Sequence, residues 1–186
     1  MDTMAALRYN VACSLDGFIA PPDESTDWIV HDPSIDFAKL YAEFDAYVMG
    51  RKTYEAITAP GHPNPLQGKS KDAVVVVSRT MKPEDHPSIT IIGEGHIHHI
   101  RQLKQRTDRD IWLMGGSQLA ADCLDAGLLD SVETAIMPVV LRSGYRLVAE
   151  TPGRSFGSYQ LQRRSLENLP KSGILMVRYD VVYNKA

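Results

Sequence analysis

Cysteine is nearly absent: Cys13 and Cys123 stand far apart, each inside an apolar segment. That excludes a disulfide scaffold, and no spacing supports even one bridge; both read as buried free thiols in a reducing cytoplasm. No apolar run reaches the length of about 20 residues that a membrane helix needs. The first seven residues hold an acidic Asp2 and too short an apolar stretch for a signal peptide. Neither sign of charge dominates, since 20 Lys and Arg oppose 23 Asp and Glu. Nucleic acid and anionic membranes are therefore not expected partners, and the scattered Arg101, Lys104, Arg106 and Arg109 read as a solvated helix face. The GxGxxG fingerprint, the Walker lysine, the GxSxG elbow and HExxH are all missing. His96, His98 and His99 cluster, but no carboxylate or cysteine stands at ligand spacing, so no metal site is expected.

What is present is an alternation of strand and helix signals along 186 residues, a length suited to one domain spanning the whole chain. Residues 7–13 read as a first strand, ending in the Asp16-Gly17 turn. Asp32 as N-cap with Pro33 after it predicts a helix carrying Phe37, Leu40, Tyr41 and Phe44 on one face. Residues 47–49 read as a short buried strand, followed by a helix from Arg51 that stops by Pro60. The β-branched run 73–77 has the composition of a strand covered on both faces. Strands at 89–92 and 111–114 bracket a helix marked by Ile97, Ile100 and Leu103. Ser117 is placed to cap a fourth helix, with Leu119, Ala120, Cys123 and Leu124 on one face and Gly127 past its end. After that the pattern changes: 131–141, 160–166 and 174–183 read as strands with no helix between them. The expected fold is α/β, with a mainly parallel sheet, helices on both faces and a late antiparallel edge.

Four segments carry the functional signal: 14–20 (SLDGFIA), 50–55 (GRKTYE), 78–80 (SRT) and 114–119 (MGGSQL). Three fall where a strand gives way to a turn or a helix start. There, backbone N–H groups and a basic side chain suit a phosphate. Gly50, Arg51, Lys52 and Thr53 fit a diphosphate, or only a strand–helix turn with exposed basic residues. Met114, Gly115, Gly116, Ser117 and Gln118 repeat the arrangement; the alternative is a tight turn needing positive φ. Ser78, Arg79 and Thr80 follow a strand end, where α/β sheets bind ligands. They suit a ribose 2′-phosphate, which favours NADP over NAD, or form a solvated turn. Asp32 is read as a cap rather than a catalytic acid. Asp36 is either a proton donor at a pocket edge or a first-turn acid favoured by the helix dipole.

Together, in this order, these segments resemble the dihydrofolate reductase-like superfamily, in particular small bacterial proteins related to the C-terminal half of the riboflavin-pathway deaminase/reductase. The likeness extends through Asp27-Trp28, 45–55 (DAYVMGRKTYE), 76–80 (VVSRT), 110–130, 138–144 (PVVLRSG) and 174–182. It implies a three-layer α/β/α fold with an eight-stranded mixed sheet, seven strands parallel and the last antiparallel. It implies NADPH as cofactor and hydride transfer to a small heterocyclic molecule such as a pterin or aminopyrimidine, in a homodimer joined through the late strands. By position, Ala12, Ile19 and Ala20 match the nicotinamide pocket, and Gly50 to Thr53 the pyrophosphate turn. Ser78 and Arg79 match the 2′-phosphate contacts. Gly115 to Gln118 match the glycine turn that clamps cofactor phosphates, with a cis peptide at Gly115–Gly116. Ser34 stands where dihydrofolate reductases carry a carboxylate, with Asp32 and Asp36 on either side, which argues against folate. The zinc ligands of the deaminase half are absent from this sequence. Two alternatives follow: a module that binds NADPH without turnover, and a stand-alone 5-amino-6-(5-phosphoribosylamino)uracil reductase. The turn of Arg142, Ser143 and Gly144 faces either a pocket or a partner subunit.

Overall fold

Short β-branched and apolar runs become strands here because a sheet buries both of their faces. The run Val74–Val77 has three of its four valines buried. The computed structural model describes residues 4–61, 63–151 and 158–183. Along the chain come β1 (Leu7–Ser14), β2 (Phe18–Ala20), α1 (Phe37–Tyr41), β3 (Phe44–Gly50), α2 (Arg51–Ile57), β4 (Val74–Val77) and β5 (Thr90–Ile92). They are followed by α3 (His96–Arg106), β6 (Asp110–Gly115), α4 (Ser117–Asp125), β7 (Ser131–Met137), β8 (Tyr145–Arg146), β9 (Gln160–Leu169) and β10 (Ile174–Val182). Eight strands form one sheet in the order β5-β4-β3-β6-β1-β7-β10-β9. All neighbours pair in parallel until β10, which runs antiparallel to both β7 and β9. Seven strands thus share a direction and the last opposes them, as the resemblance implied.

Helices cover both faces. On one, Leu7, Tyr9, Val48, Val75, Ile111 and Leu113 pack with Ile100 and Leu103 of α3 and Ala120 and Cys123 of α4. On the other, Tyr47, Met49, Val74, Val76 and Trp112 meet Leu40, Tyr41, Tyr54 and Ile57 from α1 and α2. Each fully buried Leu, Ile, Val or Met among them contributes about 1.5–3 kcal/mol. Both cysteines are buried and unpaired.

The first helix departs from expectation. It begins at Phe37, and its N-cap is Asp36, whose carboxylate accepts the Lys39 N–H at 2.9 Å. Asp32 instead accepts the N–H of Ser34 at 2.9 Å and its hydroxyl, closing a turn ahead of the helix. Phe44 leaves the helical face and opens β3, because its ring is 5.0 Å from that of Trp112 and only 2 % exposed there. Ser117 does not cap α4; Gly116 holds that position, and Ser117 is the first helical residue. The strand expected over 131–141 stops at Met137, just before Pro138, which has no N–H to give a ladder. Lys104 is not on the solvated face: its ammonium is buried and bonds the Leu128 carbonyl at 3.0 Å and the Asp130 carboxylate.

One buried ion network ties the strands. Arg8 of β1 donates from Nε and Nη2 to both oxygens of Glu133 on β7, at 2.7 and 2.8 Å. Arg8 Nη1 also reaches Glu43 at 2.7 Å and Asp110 at 3.2 Å. Ser131 and Asn10 donate to Glu133 as well. Arg178 of β10 places Nε 3.1 Å from Glu133, near enough for ionic attraction though misaligned for a hydrogen bond.

Candidate functional site

Because the strands from β5 to β7 run parallel, their C-terminal ends share one edge of the sheet. The four signal segments lie on that edge in strand order. Gly50 stands level with Val77, Met49 with Gly115, and Val77 with Ile92. A Cβ added to Gly50 would meet the Gly116 nitrogen at 3.6 Å, and one added to Gly115 would meet Thr53 Oγ1 at 3.3 Å. The turns after β3 and β6 are therefore one continuous backbone surface. Gly115 has φ 122°, a region closed to other residues without strain, and the Gly115–Gly116 peptide is cis.

Beside them, Ser78 shapes the end of β4. Its N–H donates to the Ile92 carbonyl at 2.9 Å, and its hydroxyl oxygen accepts the N–H groups of Thr80 and Met81 at 3.2 and 3.0 Å. Its Oγ also lies 3.4 Å from Thr80 Oγ1, so the two hydroxyls sit side by side at the strand end. Arg79 and Thr80 are exposed, and among the described residues Arg79 makes no ion pair. Arg79 borders a cavity of about 480 Å³ with Ser78, Gly93, Gly95, His96 and Asp122. That volume lies in the usual range for small-molecule sites. Asp122 joins the two helices behind it, holding His96 Nε2 at 3.0 Å and the Gln118 amide at 3.0 Å. Met114 is half-buried against the cluster that holds Met49, Val76 and Trp112.

Two basic residues of the β3–α2 turn are already engaged. Arg51 pairs with Glu55 one helical turn on, at 3.0 Å. Lys52 bonds the Glu24 carboxylate and, at 2.9 Å, the Tyr145 hydroxyl. No spacing rule connects residues 24, 52 and 145, so sequence reasoning missed this cluster. Lys52 and Tyr145 hold the Glu24 carboxyl below its ordinary value.

Further along the edge, Ala12 lies in an apolar cluster with Trp28, Ile35, Met137, Val139 and Met176. Ile19 and Ala20 sit on β2, which pairs with β8 in a separate two-stranded sheet. Trp28 Nε1 is buried and has no hydrogen-bond partner among the described residues. The Asp16 carboxylate accepts the Ser14 hydroxyl at 2.7 Å and the N–H groups of Leu141 and Arg142 at 3.0 and 2.8 Å. These bonds, that from Ser14 foremost, keep it below the usual aspartate value. The turn from Arg142 to Gly144 thus packs on the β1–β2 turn of its own chain. Asp36 is exposed and committed to capping α1. Asp32 is 6 % exposed, and the Ser172 and Ser34 hydroxyls hold its carboxyl down.

An eight-stranded sheet of this order, with cradling turns along its C-terminal edge, defines the dihydrofolate reductase-like class of α/β proteins. The chain belongs to the RibD C-terminal domain family, which it matches over residues 5–175. It is 32 % identical over 157 residues to the uncharacterized protein YwjB of Bacillus subtilis, covering 81 % of this chain and 88 % of that one. Among solved structures it is similar to a candidate riboflavin biosynthesis protein from Shewanella sp. PV-4, with a TM-score of 0.77 and 22 % identity over 96 % of this chain and 99 % of that one. It is also similar to the diaminohydroxyphosphoribosylaminopyrimidine deaminase/5-amino-6-(5-phosphoribosylamino)uracil reductase of Thermotoga maritima. There the TM-score is 0.68 and the identity 15 %, over 96 % of this chain and 57 % of that one. At such identities the two structures bear on the fold.

Proposed function

We propose that this protein is an NADPH-dependent reductase that transfers hydride to a small heterocycle of the aminopyrimidine or pterin kind. The observation that carries the reading is the alignment, along one sheet edge, of two glycine cradles, the Ser78 hydroxyl and Arg79, which has no ion pair among the described residues. Gly50, Arg51, Lys52, Thr53, Gly115, Gly116, Ser117 and Gln118 would hold the diphosphate, with backbone amides at the start of the nine-residue α4. Arg79, Ser78 and Thr80 would hold the 2′-phosphate. Ala12, Ile19 and Ala20 would flank the nicotinamide.

The cofactor, when bound, supplies the hydride. The chain's own residues position the partners and exclude water. Trp28 Nε1 is a donor in want of an acceptor, which a ring carbonyl or ring nitrogen of the substrate satisfies. Asp36, or water beside it, would deliver the proton, which requires its carboxyl to serve while also capping α1. The 5-amino-6-(5-phosphoribosylamino)uracil that the Thermotoga protein's name specifies is the narrowest substrate candidate. The two free thiols suit a reducing cytoplasm.

The test is titration with NADPH and NADH. NADPH is expected to bind tighter, and Arg79→Ala to weaken NADPH about 10- to 100-fold, the worth of hydrogen bonds to a charged group, while leaving NADH unchanged. Equal binding of both cofactors by the unaltered protein would sink the reading. One observation favours a module without turnover: Ser34 occupies the expected carboxylate position, and Asp36 is spent on a helix cap. Binding of NADPH with no oxidation across a panel of pterins and aminopyrimidines would establish that alternative.

A homodimer through the β9–β10 hairpin belongs to the same proposal. The register of the pair shifts at Arg164, so Leu161, Leu166 and Leu175 fall on one face, 45, 53 and 38 % exposed. An outer strand with such a patch is suited to burial against a second copy. Sedimentation of the unaltered protein should give a dimer, and Leu166→Lys should shift it to monomer. A monomer at every concentration would refute the assembly without touching the cofactor reading.

A further inference from the structure

We propose that Glu24 is an internal competitor for the Lys52 ammonium, displaced when a diphosphate group arrives, and that this displacement releases the loop of residues 21–28. The proposal rests on the cofactor reading above and adds a residue that sets cofactor affinity. Its basis is a closed ring of contacts among three separate elements. Lys52, on α2, donates to a Glu24 carboxylate oxygen and, at 2.9 Å, to the Tyr145 hydroxyl. The Tyr145 hydroxyl, on β8, donates to the same Glu24 oxygen at 2.8 Å. The ammonium also lies 5.0 Å from the centroid of the Tyr145 ring. Glu24 itself sits in the connection between β2 and α1.

Glu24 reaches this position at a backbone cost. Its φ is 62°, in the left-handed region that a glutamate rarely adopts. Its N–H closes a turn onto the Pro21 carbonyl at 3.0 Å. The neighbouring Arg51 is likewise occupied, by Glu55. The basic side chains after β3 therefore already carry carboxylates, whereas Arg79 carries none among the described residues. Lys52 lies two residues past Gly50 in the first turn of α2, so a diphosphate at the Gly50 and Gly115 turns would compete with Glu24 for its ammonium. The strained loop then loses the ion pair that holds it down. Lys52 and Glu24 are half-exposed, with side chains 52 and 40 % accessible. An exposed pair of this kind is weak, so the competition is worth about two- to fivefold in affinity. It is a tuning device that ligand binding overcomes.

Calorimetric titration with NADPH and, separately, with inorganic diphosphate decides the matter. Glu24→Gln is expected to bind both about two- to fivefold tighter than the unaltered protein. The gain should shrink with added salt, which screens exposed charges, and vanish when Lys52→Met is added. Diphosphate binding by Glu24→Gln that is equal to or weaker than that of the unaltered protein overturns the proposal. Failure of both proteins to bind NADPH sinks the cofactor reading, and the diphosphate titration then still decides the competition. If neither binds diphosphate, the competition is refuted too.

Discussion

Glu133→Gln should cost about 3 kcal/mol of stability, the lower end of what breaking a buried ion pair removes. The lower end applies because Arg8 keeps Glu43 and Asp110 as partners, at 2.7 and 3.2 Å. For a chain of this size the melting temperature should fall by roughly 6–12 °C. A double replacement, Arg8→Met with Glu133→Leu, should recover part of the loss, because it removes both charges together. Recovery stays partial, since Ser131 and Asn10 lose their acceptor and Arg178 its countercharge. A fall of less than about 1 kcal/mol for Glu133→Gln would show the network to be energetically idle, as exposed pairs often are.

The same carboxylate gives a pH dependence of known sign. Burial alone would push the Glu133 carboxyl up; Arg8, Ser131 and Arg178 outweigh it and hold it below the ordinary glutamate value. The folded pKa then lies beneath the unfolded one, so the unfolded chain binds more protons in between. The contribution is complete above the ordinary value of about 4.3. It is lost as pH falls through the folded pKa. Denaturation followed from pH 6 downward should show a steeper acid loss in the unaltered protein than in Glu133→Gln.

Gly144→Ala should be comparably damaging for a different reason. A Cβ there would stand 2.0 Å from the Ala20 carbonyl oxygen and 2.9 Å from Pro21 Cα. Both obstacles are backbone, so neither can rotate away. The residue also has φ 133°. Overpacking and strain together should cost about 3 kcal/mol or more, and β8 must separate from β2. Gly68→Ala is the control: its φ is 80° and its Cβ would meet nothing within 4 Å. It should lose only the left-handed backbone penalty of about 1–2 kcal/mol. If the two variants melt together, the close approach at Ala20 is not what requires glycine. Because β2 carries Ile19 and Ala20 while β8 carries Tyr145, the proposed cofactor site predicts that Gly144→Ala also weakens NADPH where Gly68→Ala does not.

Much of this was legible from local signals. The valine run at 74–77 could be little but a buried strand, and Gly127 after an apolar helical face marked the end of α4, where its φ is 67°. The turns after β3, β4 and β6 were legible because glycine and Ser-Arg-Thr at strand ends have few other uses. The first helix misled, since its periodicity counted Phe44, whose burial against Trp112 outweighed the helical pattern. The two-residue β8 is too short for any period to register. Lys104 looked solvated because charge alone does not reveal that a carbonyl and Asp130 wait beneath it.

The order of apolar runs, breakers and glycines along the chain by itself determined the βα alternation, the parallel core and the turns that follow its strand ends. Those follow from local sterics and from the need to bury apolar faces. Only the tertiary structure decided that Glu24, Lys52 and Tyr145 form one contact, that Arg8 and Glu133 share a buried bond, and that Gly144 lies against Ala20. Each of these joins residues tens of positions apart, and long-range contacts are set by sheet order and register, which no local pattern encodes.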